Sequence, residues 1–574
     1  MNKLCPSGRC TTELRVPTMG DTVLADLPDE VLLEVFSRLP LADAVTCALH
    51  VCAHWRRLFR FRAPWRGRTY EAPDEAQAEE AYLVARMLST GRDLTLEAGN
   101  RFCLRATEDS VTVRWDIFQQ EKFELLTAGS RVRSLSIPGD FLVWSNVTSL
   151  ARCTPQLRSL TVDNGVTDWP SAELSDALAR LLGSGMLAEL RSLTVEGASS
   201  RGVEMDGPLL AACRGCPHLE RLHLQWTERL GARGLAGLAD LGGLRRLRVS
   251  SVATLPAVDF LPAGLEELEL SRCHGVRLDG LAAGPALRRL VLDGCALEGE
   301  RLAAAACRLA SLEEANLAGN RRLRDLSFLR PWVRLRTLNL ADCDSFDSDT
   351  FGTLGFLGQL RSLNLCRCDL RNVSLDAVLV SLPQLEELVL SGTSVVGGQS
   401  CAASLPPGLA ELDLSWCAWV DAAVVRELRH LGRLRALRLS RCGGVVGWQQ
   451  LAADLLPRLP ALERLDVSGV GGSTGDGVRN LSFLQHCPQL RTLDVGENAG
   501  LPPAAYSDLR HASGLRHLDL HGSDLEGVPL QETVGRLSEL ETLTVYGCRG
   551  VGQEELQRLT AFLPKLVIKG KVQP

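Results

Sequence analysis

Apolar residues recur along most of the chain in one unit, Leu-x-x-Leu-x-Leu, in which the x positions are mostly polar. Most units start 21 to 28 residues after the one before, and the longest step, 33 residues, runs from Leu157 to Leu190. A pattern that returns at this interval is typical of a protein built from stacked repeats. The eighteen starts are Val132, Leu157, Leu190, Leu219, Leu244, Leu265, Leu287, Leu312, Leu335, Leu360, Leu385, Leu409, Leu434, Leu462, Leu490, Leu515, Leu540 and Leu563.

The last two leucines of each unit alternate with polar residues, which predicts a short strand with one buried face. A single strand of this kind cannot bury its leucines, but stacked units can, because their leucines then share a continuous core. The interval is that of leucine-rich repeats and predicts a curved α/β solenoid of about 18 repeats. Parallel strands are expected on its concave face, and helices or irregular segments on the outer face.

A further position of the unit, three residues past its last leucine, is also patterned. The pattern resembles the cysteine-containing class of leucine-rich repeats. That resemblance implies a small buried polar side chain that bonds turn backbone left unpaired by the strands. The residues at this position include Cys273, Cys295, Cys343, Cys368, Cys417, Cys442, Cys548, Asn320 and Asn498.

The N-terminal stretch has a different pattern, which predicts two or three short helices. Pro28 suits the first helical position, and Pro40 ends the first helix. Its apolar face comprises Val31, Leu32, Val35, Phe36 and Leu39. A second helix has Val45, Ala48, Leu49, Cys52 and Trp55 on one side. So small a module has a thin core, which predicts that part of its apolar surface is buried against a partner.

These residues resemble the F-box, and together with the repeats they resemble the F-box/leucine-rich-repeat family. The resemblance implies docking on the Skp adaptor of Skp–cullin–F-box ubiquitin ligases. Each matching position either belongs to the module core or contacts the adaptor. The positions are Leu27, Pro28, Glu30, Leu32, Val35, Phe36, Leu39, Pro40, Val51, Cys52 and Trp55.

Four segments are predicted along the chain. Residues 1–22 mix Pro, Gly, Ser and Thr without a period and are expected to be a disordered tail. Residues 23–66 are assigned to the F-box. Residues 67–131 are expected to form a linker helix through Leu88, irregular strands near Leu94–Leu96 and Val111–Val113, and an atypical cap of the solenoid. Residues 132–574 are assigned to the repeats and a short polar tail.

Composition excludes several classes of function. The net charge is -6 and the pI is about 6.0, so nothing in the bulk charge favours nucleic acid. The basic run from Arg56 to Arg68 is therefore interpreted as a solvated helix face. No apolar run resembles a signal peptide or approaches the ~20 residues of a membrane span. With nineteen cysteines, many at the repeat turn, we expect reduced thiols and a cytoplasmic or nuclear protein.

Three local motifs were weighed as chemical sites, and each is interpreted as structural. Cys213 and Cys216 form a Cys-x-x-Cys pair without a second ligand pair. The glycine-rich stretch 469–477 lacks the Lys-Ser/Thr ending of a phosphate loop. Four acidic residues between Asp342 and Asp349 lack the calcium-loop spacing. We therefore predict no catalytic site, metal or cofactor.

Binding information is expected on the strand face, at the residue between the last two leucines of each unit. Late units place aspartate there with one arginine between, and two tryptophans lie near the rim of the face. A basic or amide-rich substrate would suit this stripe, although aspartate before the last leucine is also common in such repeats. The candidate substrate-binding residues are Asp413, Arg438, Asp466, Asp494, Asp519, Trp226 and Trp416.

The family resemblance implies a non-catalytic function. The chain would be the substrate-recognition subunit of a Skp–cullin–F-box ligase, binding the adaptor through the F-box and a target through the repeats, and so promoting ubiquitination and degradation. Two alternatives remain open. One is a scaffold or inhibitor without ubiquitin transfer, and the other is a co-receptor for a small molecule. For an anionic ligand such as an inositol phosphate, the only clustered cations on the expected inner face are Arg245, Arg246 and Arg248.

Overall fold

The structure is a computed structural model. It describes residues 27–40, 42–44, 47, 51, 53–58, 68–90, 92–98, 101–106, 110–115, 120–144, 147–163, 171–197, 204–226, 237–251, 261–273, 286–344, 346–445, 447–471, 477–498 and 500–570. The chain divides into two compact units, residues 1–253 with 260–264, and residues 254–259 with 265–574. The predicted disordered tail lies outside the described residues. Within them no helix is long and apolar enough to cross a membrane.

The first unit combines short helices with a mainly parallel sheet. Its helices are α1 Asp29–Arg38, α2 Ala53–Leu58, α3 Glu75–Ser89, α4 Gln120–Thr127, α5 Gly139–Trp144, α6 Val147–Cys153, α7 Ser171–Leu182 and α8 Asp206–Gly215. Its strands are β1 Arg68–Glu71, β2 Asp93–Ala98, β3 Cys103–Ala106, β4 Ser110–Trp115, β5 Arg131–Pro138, β6 Ser159–Asp163, β7 Ser192–Glu196, β8 Arg221–Gln225 and β9 Arg246–Ser250.

Strands β5 to β9 pair in parallel in chain order, as the repeat pattern predicts. The stretch before them is built differently, because β3 runs antiparallel between β1 and β4, while β2 pairs in parallel with β4 and β5. The expected linker helix is present as α3. Both expected strands are present: β2 and β4 pair along six residues in continuous register, whereas the pairing of β2 with β5 is irregular and shifts register between Leu94 and Thr95.

The second unit continues the repeat with shorter strands. They are β10 Glu267–Ser271, β11 Arg289–Val291, β12 Glu314–Asn316, β13 Thr337–Asn339, β14 Ser362–Asn364, β15 Asp369–Leu370, β16 Glu387–Val389, β17 Ser394–Val395, β18 Glu411–Asp413, β19 Ala436–Arg438, β20 Arg464–Asp466, β21 Thr492–Asp494, β22 His517–Asp519, β23 Thr542–Thr544 and β24 Val567–Lys569. In each three-residue strand from β12 to β23 the central residue is buried, and it pairs with the central residue of the next strand.

Short helices connect these strands. The α-helices are α9 Gly299–Ala306, α10 Ser348–Phe351, α11 Leu375–Val380, α12 Gly398–Ala403, α13 Ala422–Glu427, α14 Trp448–Leu455, α15 Leu530–Thr533 and α16 Gln553–Phe562. The 3₁₀-helices are Cys307–Leu309, Ser327–Leu329, Gly352–Phe356, Leu428–His430, Leu456–Arg458, Ser482–His486, Pro503–His511 and Val534–Arg536. The parallel strands with helical connections confirm the predicted fold class.

The last repeat start was predicted wrongly. In the preceding repeat, the Leu540 N–H donates to the Leu537 carbonyl, and the Leu566 N–H donates to the Leu563 carbonyl in the same way. Leu563 therefore closes a connection, and the last strand starts after Leu566. Because Leu543 pairs with Ile568, the residue beside Thr544 on the strand face is Lys569 rather than Val567.

The patterned turn position forms the expected buried hydrogen bonds. Asn320 is fully buried. Its Oδ1 accepts from the backbone N–H groups of Cys295 at 3.1 Å and Leu297 at 3.0 Å. Its Nδ2 donates to the carbonyls of Leu292 at 2.7 Å and Leu317 at 2.8 Å. A single amide thus ties two successive turns together through backbone groups that the strands leave unpaired.

The turn cysteines make a simpler contact. The Cys417 thiol donates to the carbonyl of Leu390, the last leucine of the preceding repeat, at 3.0 Å. The Cys442 thiol does the same with Leu414 at 3.0 Å. The same kind of contact is made by Cys295, Cys343, Cys368 and Cys548. Six of the seven turn cysteines are buried, as predicted. Cys548 is half-buried, because β24 is the only strand that follows it in the described residues.

We expect the turn cysteines to react slowly in the folded protein. Burial raises the pKa of Cys295, Cys343 and Cys442 to about 12, so little thiolate forms at neutral pH. In native alkylation with iodoacetamide, read by peptide mass spectrometry, the exposed Cys307 should react at least about tenfold faster than these three. Equal rates, bound zinc, or disulfides between turns would contradict the expectation.

Candidate functional site

Helix α1 divides the candidate adaptor residues between an interior and an exposed face. Leu32 and Phe36 are 0% exposed, and the Phe36 ring meets the Trp55 ring edge-on at 4.8 Å between centroids. Val31 and Val35, one turn apart, are 44% and 39% exposed. Leu32 and Phe36 therefore belong to the module core, whereas the valines leave an apolar strip in contact with solvent.

The remaining candidates in this module differ in exposure. Val51 is 46% exposed, and Pro28 is exposed as well. Leu27, Leu39 and Trp55 are half-buried, and Glu30 and Pro40 are exposed. Cys52 lies outside the described residues. We call the exposed strip formed by Val31 and Val35 the valine surface.

Arg68 has a structural role that the sequence interpretation missed. Its guanidinium donates to the backbone carbonyls of Ser37, at 3.2 Å, and Leu39, and burial lowers its pKa. The interpretation of the whole basic run as a solvated face was therefore wrong for Arg68. The contact joins β1 to the C-terminal end of α1 and satisfies carbonyls that the helix leaves unpaired.

On the second unit, the candidate stripe is continuous. Asp413 pairs in register with Arg438, and Arg438 pairs with Asp466. Asp466 is followed by Asp494 and Asp519 on the next two strands. Adjacent strands lie about 4.8 Å apart. The observed register therefore confirms the prediction that these carboxylates lie on neighbouring strands, with Arg438 between the first two. We call these five residues the acidic stripe.

Each aspartate of the acidic stripe also fixes the end of its strand. The Asp413 Oδ1 accepts from the Ser415 N–H at 2.9 Å. The equivalent bonds at Asp466, Asp494 and Asp519 measure 3.0, 2.9 and 2.9 Å. Three asparagines on earlier strands make the same bond through their amide oxygen: Asn316, Asn339 and Asn364. An uncharged amide therefore satisfies the backbone equally, so the bond gives no reason for the charge.

The negative charge is unfavourable where it is placed. Burial, together with the neighbouring Asp466 and Asp519 carboxylates, raises the pKa of Asp494 from 3.8 to about 7. Burial also raises the pKa of Asp466. His521 lies beside this part of the stripe, with its Nδ1 3.0 Å from the Asp519 Oδ1 and 3.6 Å from the Asp494 Oδ1. The carboxylates of Asp466, Asp494 and Asp519 lie side by side on successive strands and repel one another. A cationic partner would relieve this repulsion.

This repulsion predicts how stability depends on pH. Because the folded-state pKa of Asp494 lies above its unfolded value, its contribution to stability is fully present below about pH 4 and is lost as the pH rises through about 7. Asp494→Asn should therefore raise the free energy of unfolding at pH 8 by on the order of 1 kcal/mol or more. At pH 4 the variant and the wild type should be nearly equal in stability.

Denaturant titrations of both proteins at the two pH values test this expectation. The Asn364 amide makes the same backbone bond, so the substitution should not disturb the turn. A variant that is less stable than the wild type at pH 8, or a difference that does not change with pH, would contradict it.

Asp494, Asp519 and His521 also form the group that could hold a metal ion among the described residues. Their ligand atoms all lie within 4.8 Å of one another. His521 Nδ1 is already within hydrogen-bond distance of Asp519, so the group has internal partners. His521 was not predicted from the sequence, although its place two residues after a strand-face aspartate is a signal.

The two candidate tryptophans occupy a recurring turn position. Trp226, in the first unit, and Trp416, in the second, both have a left-handed backbone, with φ of 50° and 60°. Trp416 is 60% exposed, and the Arg441 guanidinium carbon lies 4.5 Å from its ring centroid. Arg441 also pairs with Glu497. These three side chains of the second unit form a rim beside the acidic stripe.

Comparisons with known proteins find sequence matches over short stretches of the chain. Residues 24–68 match the F-box-like family. Over 42 residues, 7% of this chain, the sequence is 52% identical to F-box/LRR-repeat protein 12 of Bos taurus. The match spans 13% of that relative's length.

Among solved structures, two proteins are similar at low identity. An internalin from Listeria monocytogenes is 18% identical with a TM-score of 0.39, covering 71% of this chain and 96% of the internalin. A leucine-rich-repeat protein from Leptospira interrogans is 16% identical with a TM-score of 0.36, covering 79% and 92%.

Proposed function

We propose that this chain, an F-box-like domain followed by leucine-rich repeats, is the substrate-recognition subunit of a Skp–cullin–F-box type ubiquitin ligase. The F-box-like domain would bind a Skp-type adaptor, and the strand face would bind a target protein. The chain itself would catalyse nothing, because its role is to hold the target near the ubiquitin-charged enzyme. The observation that carries the proposal is the valine surface on a helix matching the F-box-like family.

The valine surface is suited to an apolar partner. Val31 and Val35 project from one side of α1, while Leu32 and Phe36 fill the small core behind them. Exposed β-branched residues one turn apart contribute little to the module's own stability, but each would bury apolar area in a complex. Affinity purification of the intact protein from its own cells, with mass spectrometry, should recover a Skp-type adaptor and a cullin.

The acidic stripe is the surface we assign to the target. The chain uses asparagine at this position on β12 to β14 and aspartate on β18 and β20 to β22, although both make the same backbone bond. Aspartate adds repulsion that asparagine avoids, so its use on neighbouring strands favours a function over a repeat preference. The stripe fits a segment rich in lysine or arginine, and Trp416 offers an aromatic face at its rim.

The quadruple variant Asp413→Asn, Asp466→Asn, Asp494→Asn, Asp519→Asn tests this assignment. It should remain folded, because asparagine makes the strand-end bond elsewhere in the unit. The association rate with the purified target should fall about tenfold at low salt, because the charges steer the encounter. In 0.5 M salt the difference from the wild type should shrink.

The matched control changes the same number of charges away from the strand face. Substituting Asn for Asp342, Asp344, Asp347 and Asp349 leaves the acidic stripe intact. That control should associate at nearly the wild-type rate. Equal slowing of association in both variants would indicate an effect of net charge alone. Unchanged binding of the stripe variant would indicate that the aspartates have a purely structural role.

A further inference from the structure

The positive charges of this chain are almost all arginine. Of 63 cationic side chains, 58 are arginine and five are lysine. The lysines are Lys3, Lys122, Lys565, Lys569 and Lys571, so no lysine occurs between Lys122 and Lys565. Every repeat before the last strand therefore carries its positive charge on guanidinium groups.

Some of these positions require the shape of a guanidinium. Arg371 binds both carboxylate oxygens of Asp369, at 2.9 and 2.7 Å. Arg367 binds Asp342 in the same two-pronged way, with both contacts at 2.8 Å. Arg441 lies over the Trp416 ring. A planar fork suits these contacts, and an ammonium group would not replace it.

Other positions have no such requirement. Arg288 reaches Glu313 at 3.3 Å, and Arg361 reaches Glu386 at 2.6 Å, through one atom pair on the exposed surface. Arg191 and Glu220 form a similar pair at 2.7 Å in the first unit. An exposed pair of this kind contributes at most about 1 kcal/mol, and lysine would form it as well. Ion pairing therefore does not explain why these positions hold arginine.

The two side chains differ in one reaction that matters for the proposed function. In ubiquitin transfer, a lysine amine attacks the thioester of the charged enzyme, a C–N bond forms, and the C–S bond breaks. The enzyme thiol leaves, and the amine gives up a proton to solvent. A guanidinium remains protonated and is not a nucleophile under these conditions. A receptor surface held close to the charged enzyme would be modified at exposed lysines but not at arginines.

We propose that the repeats are protected from the transfer that they promote, and that self-ubiquitination is directed to the last strand, at Lys569, and to the turn before it, at Lys565. This inference rests on the proposed function. Both lysines are exposed, and Lys569 lies beside Thr544 on the strand face. The Lys122 side chain, by contrast, is half-buried and pairs with Glu79.

The test uses the full chain assembled with a Skp-type adaptor, the cullin and RING subunits, the charged enzyme and ubiquitin. In the wild type, peptide mass spectrometry should find ubiquitin remnants on Lys565 and Lys569. Replacing Lys565, Lys569 and Lys571 by arginine should reduce self-conjugates at least tenfold. Adding Arg191→Lys, Arg288→Lys and Arg361→Lys to that variant should restore conjugates, now on the repeats.

Each outcome has a separate meaning. If the variant with lysines added to the repeats transfers ubiquitin to free adaptor or target but stays unmodified itself, arginine gives no protection and the inference is overturned. Conjugates that persist on Lys122 after the three lysines are replaced would also overturn it. If the wild-type chain fails to co-purify with the adaptor before any enzyme is added, the proposed function fails, and the inference fails with it.

Discussion

The double variant Val31→Asp, Val35→Asp is expected to lose adaptor binding, with an affinity at least about 100-fold below that of the wild type. Both side chains are exposed in the free chain, so the acids remain in water and the fold should be retained. In a complex they would be buried without partners, which is strongly unfavourable. Titration of the full chain with a Skp-type adaptor by calorimetry measures the change, and thermal unfolding checks the fold.

The same change at two exposed valines of the second unit serves as the control. Val380 and Val396 are 69% and 72% exposed. Val380→Asp, Val396→Asp adds the same charges outside the F-box-like domain and should leave adaptor affinity nearly unchanged. If the double valine variant binds as tightly as the wild type, the valine surface is not the adaptor contact.

A large loss of stability is expected for Asn320→Ala. The substitution removes the acceptor for two backbone N–H groups and the donor to two carbonyls, all in the buried turn. Each buried polar group left without a partner costs about 1–3 kcal/mol. The free energy of unfolding of the second unit should fall by roughly 4 kcal/mol, measured by urea denaturation.

The chain itself supplies the milder replacement for comparison. Cysteine holds the same turn position at Cys417 and donates to the preceding leucine carbonyl. Asn320→Cys should keep one such bond, to Leu292, and lose about half as much stability as Asn320→Ala. Equal losses in both variants would contradict a stabilising role for the hydrogen bond to the Leu292 carbonyl.

The repeat architecture was predictable because its signal is a period. The central leucine of each short strand and the residue three places after the last leucine are fixed by spacing alone, and Asn320 has the buried contacts expected from that spacing. The last repeat was missed because Leu563 and Leu566 reproduce the spacing of a new unit. A hydrogen bond between them shows that they close the connection instead.

The division of helix α1 into a buried and an exposed side could not be read from its pattern. On a helix, Val31 and Val35 adjoin the side occupied by Leu32 and Phe36, so all four form one apolar band. The second helix decides which edge of that band is covered, and that packing depends on Trp55, nineteen residues further along the chain.

The acidic stripe was predictable, but its chemistry was not. The repeat interval places Asp494 and Asp519 on neighbouring strands, and alternation within each strand places both on the same face, as observed. The strand-end bond that asparagine and aspartate share depends on turn geometry two residues later. The position of His521 depends on Gly496, because a Cβ there would clash with the imidazole.

The central claim is that the N-terminal module docks on a Skp-type adaptor. The most direct measurement mixes the purified full chain with that adaptor and follows the mixture by size-exclusion chromatography with light scattering. The account predicts a single one-to-one complex, which the double valine variant does not form. Separate elution of the wild-type chain and the adaptor, with the chain folded, would contradict the claim and favour the scaffold interpretation.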